Sequence, residues 1–128
     1  TNQDCSVFLN MSGYEGQSIL FFFNISDFAR EASSKTNNVT IDTIYPVLTI
    51  NSPVNVSYYS NTIKFNITAT EDVAMSYSDN NGTFKPLCSS CNSVAVSKTF
   101  GDGSHNVKIR AVDRAGNSFF DAVEFAIL

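Results

Sequence analysis

Between Thr62 and Thr70 the chain reads Thr-Ile-Lys-Phe-Asn-Ile-Thr-Ala-Thr. Ile63, Phe65, Ile67 and Ala69 fall on one side of an extended backbone, and Lys64, Asn66 and Thr68 on the other. Successive side chains of a strand point to opposite faces, so this alternation predicts a strand with one face in a core and one in water. The same pattern recurs. Val107, Ile109 and Ala111 alternate with Lys108 and Arg110, and Val123, Phe125 and Ile127 alternate with Glu124 and Ala126. No stretch shows a helical period. Leu48 and Ile50 make a short first strand closed by Asn51-Ser52-Pro53. Strands over 75–78 and 83–87 flank Asp79-Asn80-Asn81-Gly82, a hairpin signal because Asn-Gly tolerates positive φ. Ser93 to Phe100 is a further strand, turned by Gly101-Asp102-Gly103. Seven short strands with turns at this spacing predict an all-β sandwich.

The chain also repeats itself. At an offset of 86 residues Cys5 falls on Cys91, Ser18 on Ser104, Asp27 on Asp113, Ala29 on Ala115 and Ile41 on Ile127. Phe21 falls on Val107, Phe23 on Ile109 and Val39 on Phe125, so the apolar alternation agrees with the identities. A period of this size is one sandwich domain rather than a solenoid unit. The expected organisation is therefore a complete domain over 44–128, preceded over 1–43 by the C-terminal half of another. That half supplies strands over 6–10, 19–26 and 39–42. The middle strand is unusual. Phe21, Phe23 and Ile25 match the core face of the later copy, yet Leu20 and Phe22 make the opposite face apolar too. A strand apolar on both faces is usually covered on both. Asn24 shares the second face, where a glycan and a buried contact would compete.

The 128 residues carry 12 Asp and Glu against 8 Lys and Arg, a net charge of −4. No basic stripe exists to neutralise phosphates, which argues against nucleic acid as a partner. No apolar run is long enough to cross a bilayer, and Ile19-Leu20-Phe21-Phe22-Phe23 is far too short. No signal peptide is visible at Thr1, so the expectation is a mature or excised piece.

Cys88-Ser-Ser-Cys91 lies in a polar loop between strands. A redox motif of this spacing wants a following helix, and a zinc site wants a second ligand pair, for which Cys5 and His105 are the only candidates. A small disulfide between Cys88 and Cys91 is the plainer reading, and it belongs to an oxidising compartment. Cys5 then has no partner in the chain, or its partner lies upstream. Asn-x-Ser/Thr triplets occur at Asn10, Asn24, Asn38, Asn55, Asn66 and Asn81, a modest excess that fits covalently attached glycans on an extracellular surface.

Residues 39–53 and the run from Gly101 to Asn117 resemble tandem immunoglobulin-like repeats of prokaryotic, especially archaeal, cell-surface proteins. The resemblance covers nearly the whole chain. It implies an immunoglobulin-like sandwich outside the cell and carries over no catalytic residue, because such repeats serve adhesins, surface layers, filaments and enzyme stalks alike. Pro46 would stiffen the joint between repeats. Asp113-Arg-Ala-Gly-Asn117 would make a tight turn, and the earlier copy, Asp27-Phe-Ala-Arg-Glu31, has lost its Gly and Asn.

Nothing in the chain points to an enzyme. His105, the sole histidine, precedes a strand among polar residues and reads as solvated. No serine sits in a glycine elbow. Asp27, Asp42, Asp72, Asp102 and Asp113 lie at turns or at the joint, where calcium could use them, but turn formation explains the same residues. No cofactor, metal or catalytic residue is assigned. A lysine–asparagine isopeptide bond needs a lysine in the core, whereas Lys64 and Lys108 point outward.

These readings converge on a non-enzymatic structural module of an extracellular assembly. Three strands with an apolar face and open edges do not stay ordered alone. Strand donation from a neighbour would cover Phe21, Phe22, Phe23 and Ile25 and give a pilus-like homopolymer or surface layer, with no direct insertion into a membrane. The alternative is an adhesin or spacer module of a longer surface protein. A parent chain with four more strands upstream would favour the spacer, and a native terminus at Thr1 the assembly.

Overall fold

The computed structural model describes residues 8–26 and 28–128. Every regular element among them is a β-strand. The chain divides into two compact units, Thr1–Ile44 and Tyr45–Leu128.

The first unit carries β1 (Ser18–Phe21), β2 (Asn24–Ser26), β3 (Glu31–Ser33) and β4 (Asn37–Thr40). The second unit contains β5 (Leu48–Ser52), β6 (Ser57–Tyr58), β7 (Thr62–Asp79), β8 (Lys85–Thr99), β9 (Gly103–Val112) and β10 (Ser118–Ile127). Two of these strands are longer than the alternation predicts, because each serves two sheets. The first part of β7 pairs with β5, through Leu48↔Ala69, and with the end of β8, through Thr62↔Thr99 to Thr68↔Ser93. Its last part pairs with β9, through Ala74↔Val112 to Asp79↔Val107, and with the start of β8, through Tyr77↔Lys85. The register breaks between Thr68 and Val73. There the chain turns from one layer to the other, so the strands expected as separate at 62–70 and 75–78 run on through a corner. One layer is thus β5 and the first part of β7 with the end of β8. The other is the start of β8 and the end of β7, then β9, β10 and β6, with β6 parallel to β10. This is the strand order of an immunoglobulin-like sandwich.

The alternation explains the core. Ile63, Phe65 and Ile67 from one layer meet Met75, Tyr77, Val107, Ile109 and Ala111 from the other, all buried. Phe65 stacks on Phe100, and Phe100 meets Phe125 edge to face, geometries that aromatic pairs prefer. Lys64 and Lys108, half a period away, are exposed. Pro46 and Pro53 are fully buried in this unit.

Two turns fix the registers. In the β7–β8 turn the positive φ values fall on Asn80 (47°) and Asn81 (60°), one residue earlier than the Asn-Gly signal suggests. This is the two-residue geometry whose twist suits a hairpin. Gly82 is needed for another reason: a Cβ there would sit 3.0 Å from the Asp79 carbonyl oxygen, to which Gly82 N–H donates at 2.8 Å. In the β9–β10 turn Gly116 adopts φ 98°, and Asn117 donates its backbone N–H to Asp113 Oδ1 and its side-chain amide to Oδ2, each at 2.8 Å.

The strands described in the first unit form one long hairpin, with β1 antiparallel to β4 and β2 antiparallel to β3. Of the unit's expected first strand, over 6–10, residues 8–10 are irregular, and 6–7 lie outside the described residues. The strand expected over 19–26 is interrupted at Phe22 and Phe23.

The repeat explains the interruption. Moved by 86 residues, the β1–β4 register Ser18↔Thr40 to Phe21↔Asn37 coincides with Ser104↔Ala126 to Val107↔Val123 of β9–β10. The β2–β3 register does not coincide. Ile25 faces Ala32, whereas Ala111 faces Phe119, the equivalent of Ser33. The pairing has slipped by one residue. Phe23 C=O accepts from Ser34 N–H at 2.7 Å while Phe21 faces Asn37, so Lys35 and Thr36 together oppose Phe22 in a bulge. The cause lies in the turn. Arg30 and Glu31 stand where the later copy has Gly116 and Asn117. An L-residue resists the positive φ that the longer turn needs, so the connection shortens and the bulge absorbs the difference.

Candidate functional site

The hairpin carries the four residues expected to take part in strand exchange. Phe21 is 39 % exposed, Phe22 59 %, Phe23 51 % and Ile25 70 %, whereas Val107, Ile109 and Ala111, the counterparts of Phe21, Phe23 and Ile25, are fully buried. Phe21 and Phe23 meet edge to face at 6.2 Å between centroids. With Phe22, Ile19, Val39 and Met11 they line a hollow of about 300 Å³. Phe22 was expected on the opposite face. It stands opposite the bulge and contributes to the lining of the same hollow. Asn24 donates its amide to Glu31 Oε1 at 2.8 Å, so its unmodified side chain is engaged within the hairpin.

The sequons at Asn10, Asn24, Asn38, Asn55, Asn66 and Asn81 are all exposed, with Asn81 at a turn tip. Cys88 and Cys91 are joined by a disulfide near the corner of β8, and Cys88 Sγ lies 3.6 Å from the Val73 carbonyl oxygen. Cys5 and Asp27 lie outside the described residues. Of the other aspartates raised for calcium, Asp102 Oδ1 accepts from Asn61 Nδ2 at 3.0 Å, and Asp113 is occupied by its turn. Burial alone would raise the carboxyl of Asp113. Hydrogen bonds from Asn117, Gly116 and Ala115 outweigh it and hold the group below the ordinary carboxylate range. Asp72 lines a hollow with Ser89, Ser90 and Arg114, and Asp42 is half-buried in the first unit. The Glu71 carboxylate, which the sequence reading did not single out, lies within 4.8 Å of that of Asp113.

His105 corrects the expectation of a solvated side chain. It is buried, stacked on Phe125 at 5.4 Å and edge-on to Phe100 at 5.0 Å. Nδ1 lies 2.8 Å from Asp79 Oδ2 and Nε2 lies 2.9 Å from the Gly101 carbonyl oxygen. The signal was available in the sequence. His105 keeps the inward parity of Val107, Ile109 and Ala111, and so does Asp113.

On the opposite side of the same sheet is an arrangement that the sequence reading missed. Pro86, Ser76, Arg110 and Phe120 are successive cross-strand partners, so they form one row on the outer face. The Arg110 guanidinium lies 4.5 Å from the centroid of Phe84, and Phe84 meets Phe120 at 6.3 Å. Only the strand pairing brings these residues together, because they are far apart in the chain.

No protein family and no curated protein matches the chain. Among solved structures it is similar to an engineered protein, with 17 % identity and a TM-score of 0.51 over 65 % of this chain and 20 % of that one. It therefore spans about a fifth of that protein's length. It is also similar to the fibronectin(III)-like modules of CbhA from Clostridium thermocellum, with 14 % identity and a TM-score of 0.49 over 63 % of this chain and 95 % of that one. At such identities a likeness concerns the fold alone. With the strand order described above, the chain is an all-β protein whose second unit is an immunoglobulin-like sandwich.

Proposed function

We propose that the chain is a non-enzymatic structural module of an extracellular surface assembly, a filament or surface-layer subunit whose first hairpin is completed by strands donated from a neighbouring copy. One observation carries this reading. The hairpin positions that match the buried core of β9 and β10 residue by residue are themselves open to solvent. Covering Phe21, Phe23 and Ile25 stabilises by roughly 25 cal/mol for each Å² of apolar surface removed from water, which favours association with strands of the missing kind. The open edges of the hairpin offer unpaired backbone groups for them. The Cys88–Cys91 disulfide and the exposed sequons support an oxidising, extracellular setting with attached glycans.

A second reading is a spacer or adhesive module in a longer array of repeats. It is favoured by the shared register of β1–β4 and β9–β10, which makes the hairpin a worn copy of the last two strands of the same domain type. Light scattering and negative-stain imaging of the native material separate the two. Filaments or a large homopolymer that the Phe21→Asp substitution disperses support strand donation. A monomer would sink it and leave the spacer.

A further inference from the structure

We infer that the outer face of the β7–β9–β10 sheet, centred on Arg110, is a docking surface for an acidic side chain of a second copy of this chain. The Arg110 guanidinium is already in place. It is stacked on Phe84 at 4.5 Å and flanked by Phe120, and its Nε is sealed from solvent with no acceptor among the described residues. A cation held over an aromatic ring has lost much of its rotamer freedom and part of its hydration before any partner arrives. That lowers the cost of a bidentate carboxylate contact. Half-buried arginine among aromatic side chains is also the composition that dominates interface energetics.

The neighbouring positions fit an acidic partner. Lys108 lies on the next row, opposite Ser78 and Ala122, and points the same way. Neither Lys108 nor Arg110 has a carboxylate partner among the described residues. The one acid on this face of β10, Glu124, is engaged by the Asn106 amide at 2.7 Å. Beside Arg110 is a hollow of about 300 Å³ walled by Ser76, Pro86, Cys88 and Val112, which suits the aliphatic stem of a Glu side chain. None of the three sequons of this unit lies on the strands of this face. Asn66 is on the other layer, Asn55 precedes β6 and Asn81 is in the β7–β8 turn.

Charge complementarity selects the occupant. The chain has 12 acidic residues against 8 basic ones, so a second copy offers carboxylates in excess while this patch is locally cationic. A face-to-face twofold contact would set Arg110 and Lys108 against their own images, so the contact is head-to-tail. It uses a different surface from the hairpin and does not depend on strand donation.

Sedimentation velocity of the full chain, run across protein and salt concentration, tests this. Carbodiimide cross-linking with peptide mapping is run in parallel. The expected result is salt-sensitive self-association, weakened about thirtyfold by Arg110→Gln and abolished by Arg110→Glu, with an intermolecular Lys108–carboxylate cross-link and unchanged thermal melting. Phe21→Asp must leave this association intact, because strand donation is apolar and insensitive to salt. The proposal is overturned if the chain stays monomeric, if Arg110→Glu associates like the wild type, or if Lys108 cross-links only within its own chain.

Discussion

His105 Nδ1 and Asp79 Oδ2 stand 2.8 Å apart at one end of the sandwich, and the second ring nitrogen faces the Gly101 carbonyl oxygen at 2.9 Å. Both neighbours are acceptors. Only the imidazolium, with a proton on each nitrogen, satisfies both at once. The ring thereby ties the end of β7 to the turn between β8 and β9.

The pair sets a pH dependence. Burial works to lower the His105 pKa, but the hydrogen bonds to Gly101 and Asp79 and the Asp79 charge prevail and hold it above its ordinary value. A raised folded pKa means that the stabilisation is full below the unfolded pKa of about 6.5 and is lost as pH rises through the folded value. The other ionisable groups near the ring are Tyr77, raised by burial and by Asp79, Asp102 bonded to Asn61, and Glu124 bonded to Asn106. Thermal melts from pH 5 to 9 should therefore fall with rising pH in the wild type. His105→Gln should flatten that slope and cost about 1–3 kcal/mol at low pH by leaving Asp79 unpaired. A proton titration of His105 by NMR with a midpoint below its ordinary value would refute the assignment.

The core and the hairpin should respond differently to truncation. Phe65 is fully buried in the second unit, so Phe65→Ala should cost about 3–5 kcal/mol in chemical denaturation. Phe22 is 59 % exposed, and Phe22→Ala should change that transition by less than about 0.5 kcal/mol while weakening polymer formation. Equal losses of stability in both variants would show that Phe22 belongs to a core.

The slipped register can be reset. Arg30→Gly with Glu31→Asn restores the turn residues of the later copy. Ile25 should then leave Ala32 and face Ser33, as Ala111 faces Phe119. Cross-strand NOEs report the change directly. A pairing that stays at Ala32 would place the cause of the bulge elsewhere than in the turn.

The reverse change belongs in the second unit. Gly116→Ala forces an L-residue to φ 98° and should cost about 1–2 kcal/mol. Asp113→Ala leaves the Asn117 donors without their acceptor and should cost a similar amount, with the loss of stability at acid pH moved accordingly. The Asp113 carboxyl is lowered, so its contribution is present above the unfolded pKa of about 3.9 and disappears as pH falls through the folded value. Urea titrations at pH 7 and pH 2.5 separate these effects.

Reducing the Cys88–Cys91 disulfide removes a very short covalent loop, and short loops constrain the unfolded chain least. Cys88→Ser with Cys91→Ser should therefore lower stability by no more than about 2 kcal/mol and leave the fold intact, as read by melting temperature and circular dichroism. Complete unfolding of the reduced chain would contradict this.

The sequence by itself determined the fold class. Alternation at 62–70, 107–111 and 123–127 names the buried side of each strand, because side-chain direction on a strand is a local property of the backbone. Turn residues mark where strands end for the same reason. Parity even contained the burial of His105, although polar neighbours hid it. Only the tertiary structure decided which layer each part of β7 and β8 joins, since that depends on a corner at Thr68–Val73 set by contacts distant in the chain. It also decided the partners of His105, the assembly of Phe84, Arg110 and Phe120 on one face, and the bulge opposite Phe22. Each of these depends on a register between strands. A register is fixed by pairing and turn geometry together, and a slip of one residue changes the face of every side chain beyond it.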